Sequence, residues 1–477
     1  MRNYYRATIV ISMLICMTIG CTKFDDNFST DPTHRLRFSA DTLSFDTLFA
    51  EVPTTTRRIM IYNDHRQPMM IDQVKLKNAA QSGFRINLDG VAGTEFRHIA
   101  LAAEDSMYLF VEMTAPTSGS PQPIWSVDSI CFDRAGTTQH VILAGAGQDA
   151  TILRRHTLAK DATFTPTLPY LIFDTLTVPR GTTLTLEPGT SLYFHIGAHL
   201  HIEGTLRAEG TFDAPITLRG DRLDNLLTDM PYDLVPGQWS GISIDSLSYD
   251  NHLTNTTIRN ATDGIIAHRS TTDRPKLYMK DCTVTNMKGT LLCATSCDIT
   301  IENCELSNAL APIVAIQGGN LTIRHATIAN DYAWELRQYP ALRLSNKSYD
   351  KAGEKTIHPH TTIRIDNSII YGSMGTEVAL DFAKEQPHDY RFNHCLIKAN
   401  GTDDANFIMT QWNKKPHFLT IDNDKRTYNY RLDSLSAARH VADPEVAKLL
   451  PHDRDDHLRL IPEGPDIGAY QHQPTEE

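Results

Sequence analysis

From residue 251 onward the chain repeats a ten-residue pattern of apolar and polar positions. LTIRHATIAN (321–330) has apolar residues at positions one, three and eight, a small residue at six and Asn at ten. ITIENCELSN (299–308) and LYMKDCTVTN (277–286) repeat it at intervals of 22 residues. NHLTNTTIRN (251–260), IRIDNSIIYG (363–372) and YRFNHCLIKA (390–399) follow it at wider spacing and with single departures. Alternation at one and three predicts a strand with one buried face, and the shift of phase to six and eight predicts a bend and a second strand. Asn at ten, replaced once by Gly, predicts a turn through the left-handed region, which few other residues tolerate. Strand, bend, strand, turn and a third strand in about 22 residues make one coil of a right-handed parallel β-helix.

In that frame position six is an interior corner that admits only a small side chain. Cys282, Cys304 and Cys395 occupy it and are expected to pack as buried thiols. The even number of cysteines beyond Cys16 and Cys21 leaves disulfides open, either among these three or between Cys293 and Cys297. Position five holds Asn255, Asp281, Asn303, His325, Asn367 and His394, a polar column expected to form a hydrogen-bonded ladder.

Alternating strands punctuated by PRG, EPG, IG and EG (176–220) predict the opening coils. Residues 221–240 and 331–360 interrupt the pattern and are expected to project from the stack, with ALRLSN (341–346) continuing the coil. Residues 35–150 carry about seven alternating strands and no 22-residue period, which predicts an immunoglobulin-like β-sandwich. The predicted organisation is a signal segment at 1–20, a tether at 21–34, the sandwich at 35–155, the β-helix at 165–420 and a capping segment at 421–477. The fold class is thus all-β.

Arg2 and Arg6 precede an apolar run ending in TIGC, the layout of a secretory signal. The net charge of −12 and the lack of a basic run exclude nucleic acid as a partner. TIGC resembles the lipobox of bacterial lipoproteins, which implies lipidation at Cys21 and contact with a membrane through that anchor only. Asp25 and Asp26 resemble the acidic surface-export signal of Bacteroidota lipoproteins. RRIMIYND and QPMMIDQVKL resemble ASH/PapD-like sandwiches. GTTLTLEPGTSLYF, VPGQWSGI, RLDSLSAARHVADPE and GPDIGAYQHQ resemble Bacteroidota right-handed parallel β-helix lipoproteins, in which a DIGAY-like phrase closes the stack. That resemblance implies the fold and an outer-membrane location on either face, and it implies no activity.

β-Helices of the pectin lyase-like fold host polysaccharide lyases, glycosidases and esterases. The phrases NTD, GHG and GxxDFIFG of such enzymes are absent here, and no catalytic residue is assigned. His199 and His201 share a strand face but lack a third ligand, so neither a metal nor a cofactor is assigned. The candidate ligand-binding residues cluster at the interruptions and the end of the stack: Asp221, Arg222, Trp239, Tyr332, Trp334 and Trp412. Aromatic rings there can stack on sugars while Asp and Arg bond hydroxyls. Alternatively, Trp239 and Trp412 pack loops onto the stack. The favoured function is a non-catalytic module, a monomer, that binds a glycan or a surface protein. A lyase or glycoside hydrolase in a groove beside 221–240 and 331–360 is the alternative, and a structural spacer the third.

Overall fold

A computed structural model describes residues 27–474 except 228–229, 350–352 and 359. The signal segment, Cys16, Cys21, Asp25 and Asp26 lie outside the described residues. The chain divides into two compact units, between Asp149 and Ala150.

The first unit is a sandwich of two five-stranded sheets. One has the order Arg37–Phe38, Arg57–Tyr62, Ser106–Met113, Phe84–Leu88, Val91–Gly93, with every pairing antiparallel. The other has the order Thr42–Phe49, Thr137–Gln148, Ile124–Arg134, Met69–Leu76, Glu95–Leu101. Its first pair is parallel and slips register between Gly145 and Ala146. Alternation decides which face is buried: in RRIMIY, Ile59 and Ile61 face inward and meet Leu109, Val111 and Phe132 in one core.

The second unit is the β-helix. Its strands run from Thr151–Thr157 to Gln411–Trp412 and pair in parallel, coil on coil. The stack therefore starts at Thr151, earlier than the expected 165, because Thr151–Thr157 pairs in parallel with Tyr170–Val178. The ten-residue pattern and the register agree residue for residue. Position one stacks Leu277, Ile299, Leu321, Ile363 and Tyr390, and position eight stacks Ile258, Val284, Leu306, Ile328, Ile370 and Ile397. A third column comes from Ile242, Ile265, Leu292, Val314, Leu342 and Val378. Each coil thus seals the apolar face of the next, at roughly 1.5–3 kcal/mol for each large side chain fully buried. ALRLSN does continue the coil, as Leu342–Ser345, so the widest gap holds two excursions: the loop 331–341 and a hairpin of Lys347–Tyr349 with Lys355–Ile357.

One expectation changes. The left-handed residue of every coil is at position five: Asn255, Asp281, Asn303, His325, Asn367 and His394 all have φ between 42° and 54°. At position ten a positive φ is confined to Asn260, Asn286 and Asn308, at 66°, 63° and 56°. The sharpest corner lies between the two short strands, where Asn, Asp and His are the non-glycine residues best suited to positive φ. Asn330 serves differently, bonding Ala309 N and O in the preceding coil at 3.1 and 2.9 Å. The cysteines keep the expected role. All six described cysteines are free, and Cys282, Cys304 and Cys395 fill the corner as buried thiols, as the pattern implies.

The C-terminal segment does not close an end of the stack. It lies along its flank, bonded to the position-five corners and their neighbours. Asn303 donates to His452 O (2.8 Å) and accepts from Arg459, Asn367 exchanges bonds with Asp443, and Gly468 N donates to Asn367 O (2.8 Å). The physical reason is that the left-handed corners leave side-chain amides free of the ladder, and a strap of irregular chain satisfies them. Ahead of this strap, Phe418–Asp422 and Thr427–Leu432 form a hairpin.

Candidate functional site

Where the pattern breaks, a cleft of about 240 Å³ opens on the flank of the stack. Three excursions wall it. Leu234 comes from the first interruption; Tyr332, Ala333 and Trp334 come from the loop 331–341; Arg426, Thr427, Tyr428 and Tyr430 come from the hairpin. Its floor is the coil surface around Arg259, Thr285, Asn286, Glu305, Ser307 and Asn308.

Polar ladders hold the floor. Asn286 donates to Asn260 Oδ1 (2.9 Å) and Leu234 O (2.7 Å), which ties the first interruption to the coils. Ser307 Oγ and Thr285 Oγ1 lie 2.8 Å apart in hydrogen-bond contact. Arg259 and Arg219 pair with the same carboxylate, Asp233, at 3.0 and 2.9 Å. Glu305 accepts from Tyr470 Oη (2.5 Å) and Ser307 Oγ (3.1 Å), so the strap ends on the cleft's own carboxylate.

The walls are aromatic. Tyr428 and Tyr430 lie near parallel, 6.1 Å between centroids. Tyr430 Oη donates to Asn308 Oδ1 (2.8 Å), and Tyr428 Oη to Asp331 O (3.1 Å). Burial pushes the hydroxyls of Tyr332 and Tyr428 up to about 12, so both remain donors. The Arg426 guanidinium covers the Trp334 ring at 4.1 Å. Behind the wall Asp331 is raised to about 6 by burial and by Glu377, against the pull of Arg337. The loop is anchored by Arg337, whose guanidinium makes a two-pronged pair with Glu377 (2.9 and 2.8 Å) in the interior.

Of the six candidates, Tyr332 and Trp334 come together in this cleft and the others do not. Trp239 has no face open to a ligand: it is buried at 1% exposure, stacked on Phe194 at 4.1 Å, with Nε1 bonded to Arg259 O. Its volume fills the core where the first interruption rejoins the coil. Asp221 is bound to His195 Nδ1 at 2.6 Å, and burial raises its carboxyl above the ordinary range. Arg222 is committed to Asp224 and lies over Tyr232 at 3.9 Å. Trp412 packs at the last coil, tilted on Phe407, with Nε1 on Asp403. His325 is buried and neutral, its ring held far below its usual pKa by burial, and it accepts from Asn367. His199 and His201 both bond Ser243 Oγ, at 2.8 and 2.7 Å. The hairpin residues were not among the candidates. Its FLTIDNDKRTYNYRL alternation and DND turn signal mark a hairpin, but nothing local says which surface it meets.

A family model described as "Right handed beta helix region" matches residues 270–423. No curated protein matches the chain. Among solved structures, the catalytic domain of a GH87 alpha-1,3-glucanase in complex with tetrasaccharides is similar at a TM-score of 0.26 and 8% identity, over 81% of this chain and 94% of that one. The ASH/PapD-like domain of human CEP192 is similar at 0.18 and 7%, over 27% of this chain and 95% of that one. A family 123 glycoside hydrolase from Clostridium perfringens is similar at 0.17 and 8%, over 26% of this chain, which spans only 30% of that enzyme. These likenesses concern fold alone.

Proposed function

We propose that this protein is a lipid-anchored envelope lipoprotein of the Bacteroidota type whose β-helix binds a glycan, without cleaving it, in the cleft between the hairpin and the loop 331–341. One observation carries the reading: Trp334, Tyr332 and Tyr428 line one opening together with the short polar residues Thr285, Ser307, Thr427 and Asn286. That is the chemistry of sugar recognition, apolar CH faces on rings and hydroxyls on short polar groups. Glu305 already has two internal donors, which favours binding over catalysis. The test is a panel of acidic and neutral polysaccharides, followed by gel retardation, reducing ends and unsaturated-product absorbance. Retardation without cleavage, lost in Trp334→Ala, supports binding; absence of retardation sinks it.

The location rests on TIGC and the segment before it. Metabolic labelling with a fatty acid, retained by the parent chain and lost in Cys21→Ser, checks the anchor; equal labelling of both removes it.

A further inference from the structure

We propose that the cleft selects an anionic sugar, one carrying a carboxylate or a sulfate ester, and that Arg426 is the residue that reads its charge; this rests on the glycan-binding reading above. The charge balance of the cleft is opposite to that of the chain, whose net charge is −12. Its lining holds two guanidinium groups, Arg259 and Arg426, against one carboxylate, Glu305, and Arg259 pairs with Asp233. Among the described residues no carboxylate pairs with Arg426. Its Nη1 reaches only the carbonyl of Asp424, at 3.4 Å, and its Nε lies without a partner against the indole. The cleft's own carboxylate, Glu305, is bonded by Tyr470, over whose ring Arg431 lies at 4.8 Å.

The backbone adds an independent observation. Arg426 closes the hairpin turn with φ of 53°. Asn or Gly adopts that conformation with little strain, whereas a long side chain there is uncommon. A residue held in a sparsely populated conformation at a ligand cleft points to a use for its side chain. Here the turn delivers a guanidinium onto Trp334 at the cleft wall, and a guanidinium with free N–H groups bonds carboxylate and sulfate oxygens in the plane of its fork. The rings would then hold the sugar body and Arg426 its charged substituent.

Arg426→Asn separates the two contributions, because Asn suits the turn and lacks the charge. The full chain, parent and R426N, is titrated calorimetrically at low and moderate salt with three probes of equal length. These are tetragalacturonate, a sulfated galactan tetrasaccharide and neutral galactotetraose. The expected result is tighter binding of one or both anionic probes, weakening with salt. R426N should lower the anionic-to-neutral affinity ratio about tenfold or more while its melting temperature stays equal or rises. The carboxylate and sulfate arms identify which anion is read. A neutral probe bound as tightly as the anionic ones, or a ratio unchanged in R426N, overturns the selectivity and leaves glycan binding standing. No binding of any probe removes both.

Discussion

Replacing Glu377 by Gln leaves the shape of the loop anchor intact and removes its charge. Glu377 is fully buried, and its oxygens accept four bonds: Arg337 Nη1 and Nη2 at 2.9 and 2.8 Å, Ala341 N at 2.8 Å and Met374 N at 2.9 Å. Arg337 is also buried; its Nη groups further donate to Asn330 O, Ser373 Oγ and Tyr339 O, and its Nε has no partner among the described residues. In Glu377→Gln the guanidinium stays buried without its counter-charge, and the new amide NH2 faces one Nη and one backbone N–H from which it cannot accept, which costs about 3–5 kcal/mol. Glu377→Ala also strands two backbone N–H groups, each worth roughly 1–3 kcal/mol, and is the more damaging change. Arg337 lies within the loop that carries Tyr332 and Trp334, so the loss falls first on the cleft wall. Denaturant unfolding should show the deficit, and hydrogen exchange of amides 331–341 should accelerate before that of the coils on either side. A Gln variant within about 1 kcal/mol of the parent, with unchanged exchange in the loop, would refute the reasoning.

Three further outcomes follow from burial. Asp331 is raised from its ordinary carboxylate range to about 6, so the folded state holds its proton more tightly than the unfolded chain. The stability it contributes is present at low pH and is lost as pH rises from about 4 through about 6; Asp331→Asn should raise the melting temperature at pH 7.5 and change it little at pH 4, and the reverse order refutes the assignment. Ala326 fills a fully buried corner, so Ala326→Leu should cost about 1–3 kcal/mol by denaturant titration, and no loss would mean that the corner has room. Burial pushes the Cys395 thiol up to about 12 and raises Cys304 as well; both should resist alkylation in the native protein and label on unfolding, as read by peptide mass, and rapid native labelling would contradict their placement.

The coils were legible because each one repeats the same physical problem. A residue facing the interior at position three or eight must be apolar in every coil, so Ile301, Ile323 and Ile365 announce their stacking by spacing alone. The corner was legible less fully. Small residues at six mark it, but positive φ belongs to position five, where Asn, Asp and His serve both as the turn and as the bonding partners of the strap. The cleft was half legible. Interruptions of the pattern point to Tyr332 and Trp334, yet they point equally to Trp239, which the core takes. The opposite wall comes from Tyr428 and Tyr430, about a hundred residues later in the chain. Their placement depends on single long-range bonds to Asn308 and to the Asp331 carbonyl, and no local periodicity encodes such bonds.

Glycan binding at this cleft is tested most directly by one comparison of Trp variants in the same titration. Trp334 lines the cleft, whereas Trp125 is exposed on the sandwich. The expected result is that Trp334→Ala abolishes binding of whichever tetrasaccharide the parent takes, while Trp125→Ala binds it with the parent's affinity. Parent-like binding by Trp334→Ala would contradict the account.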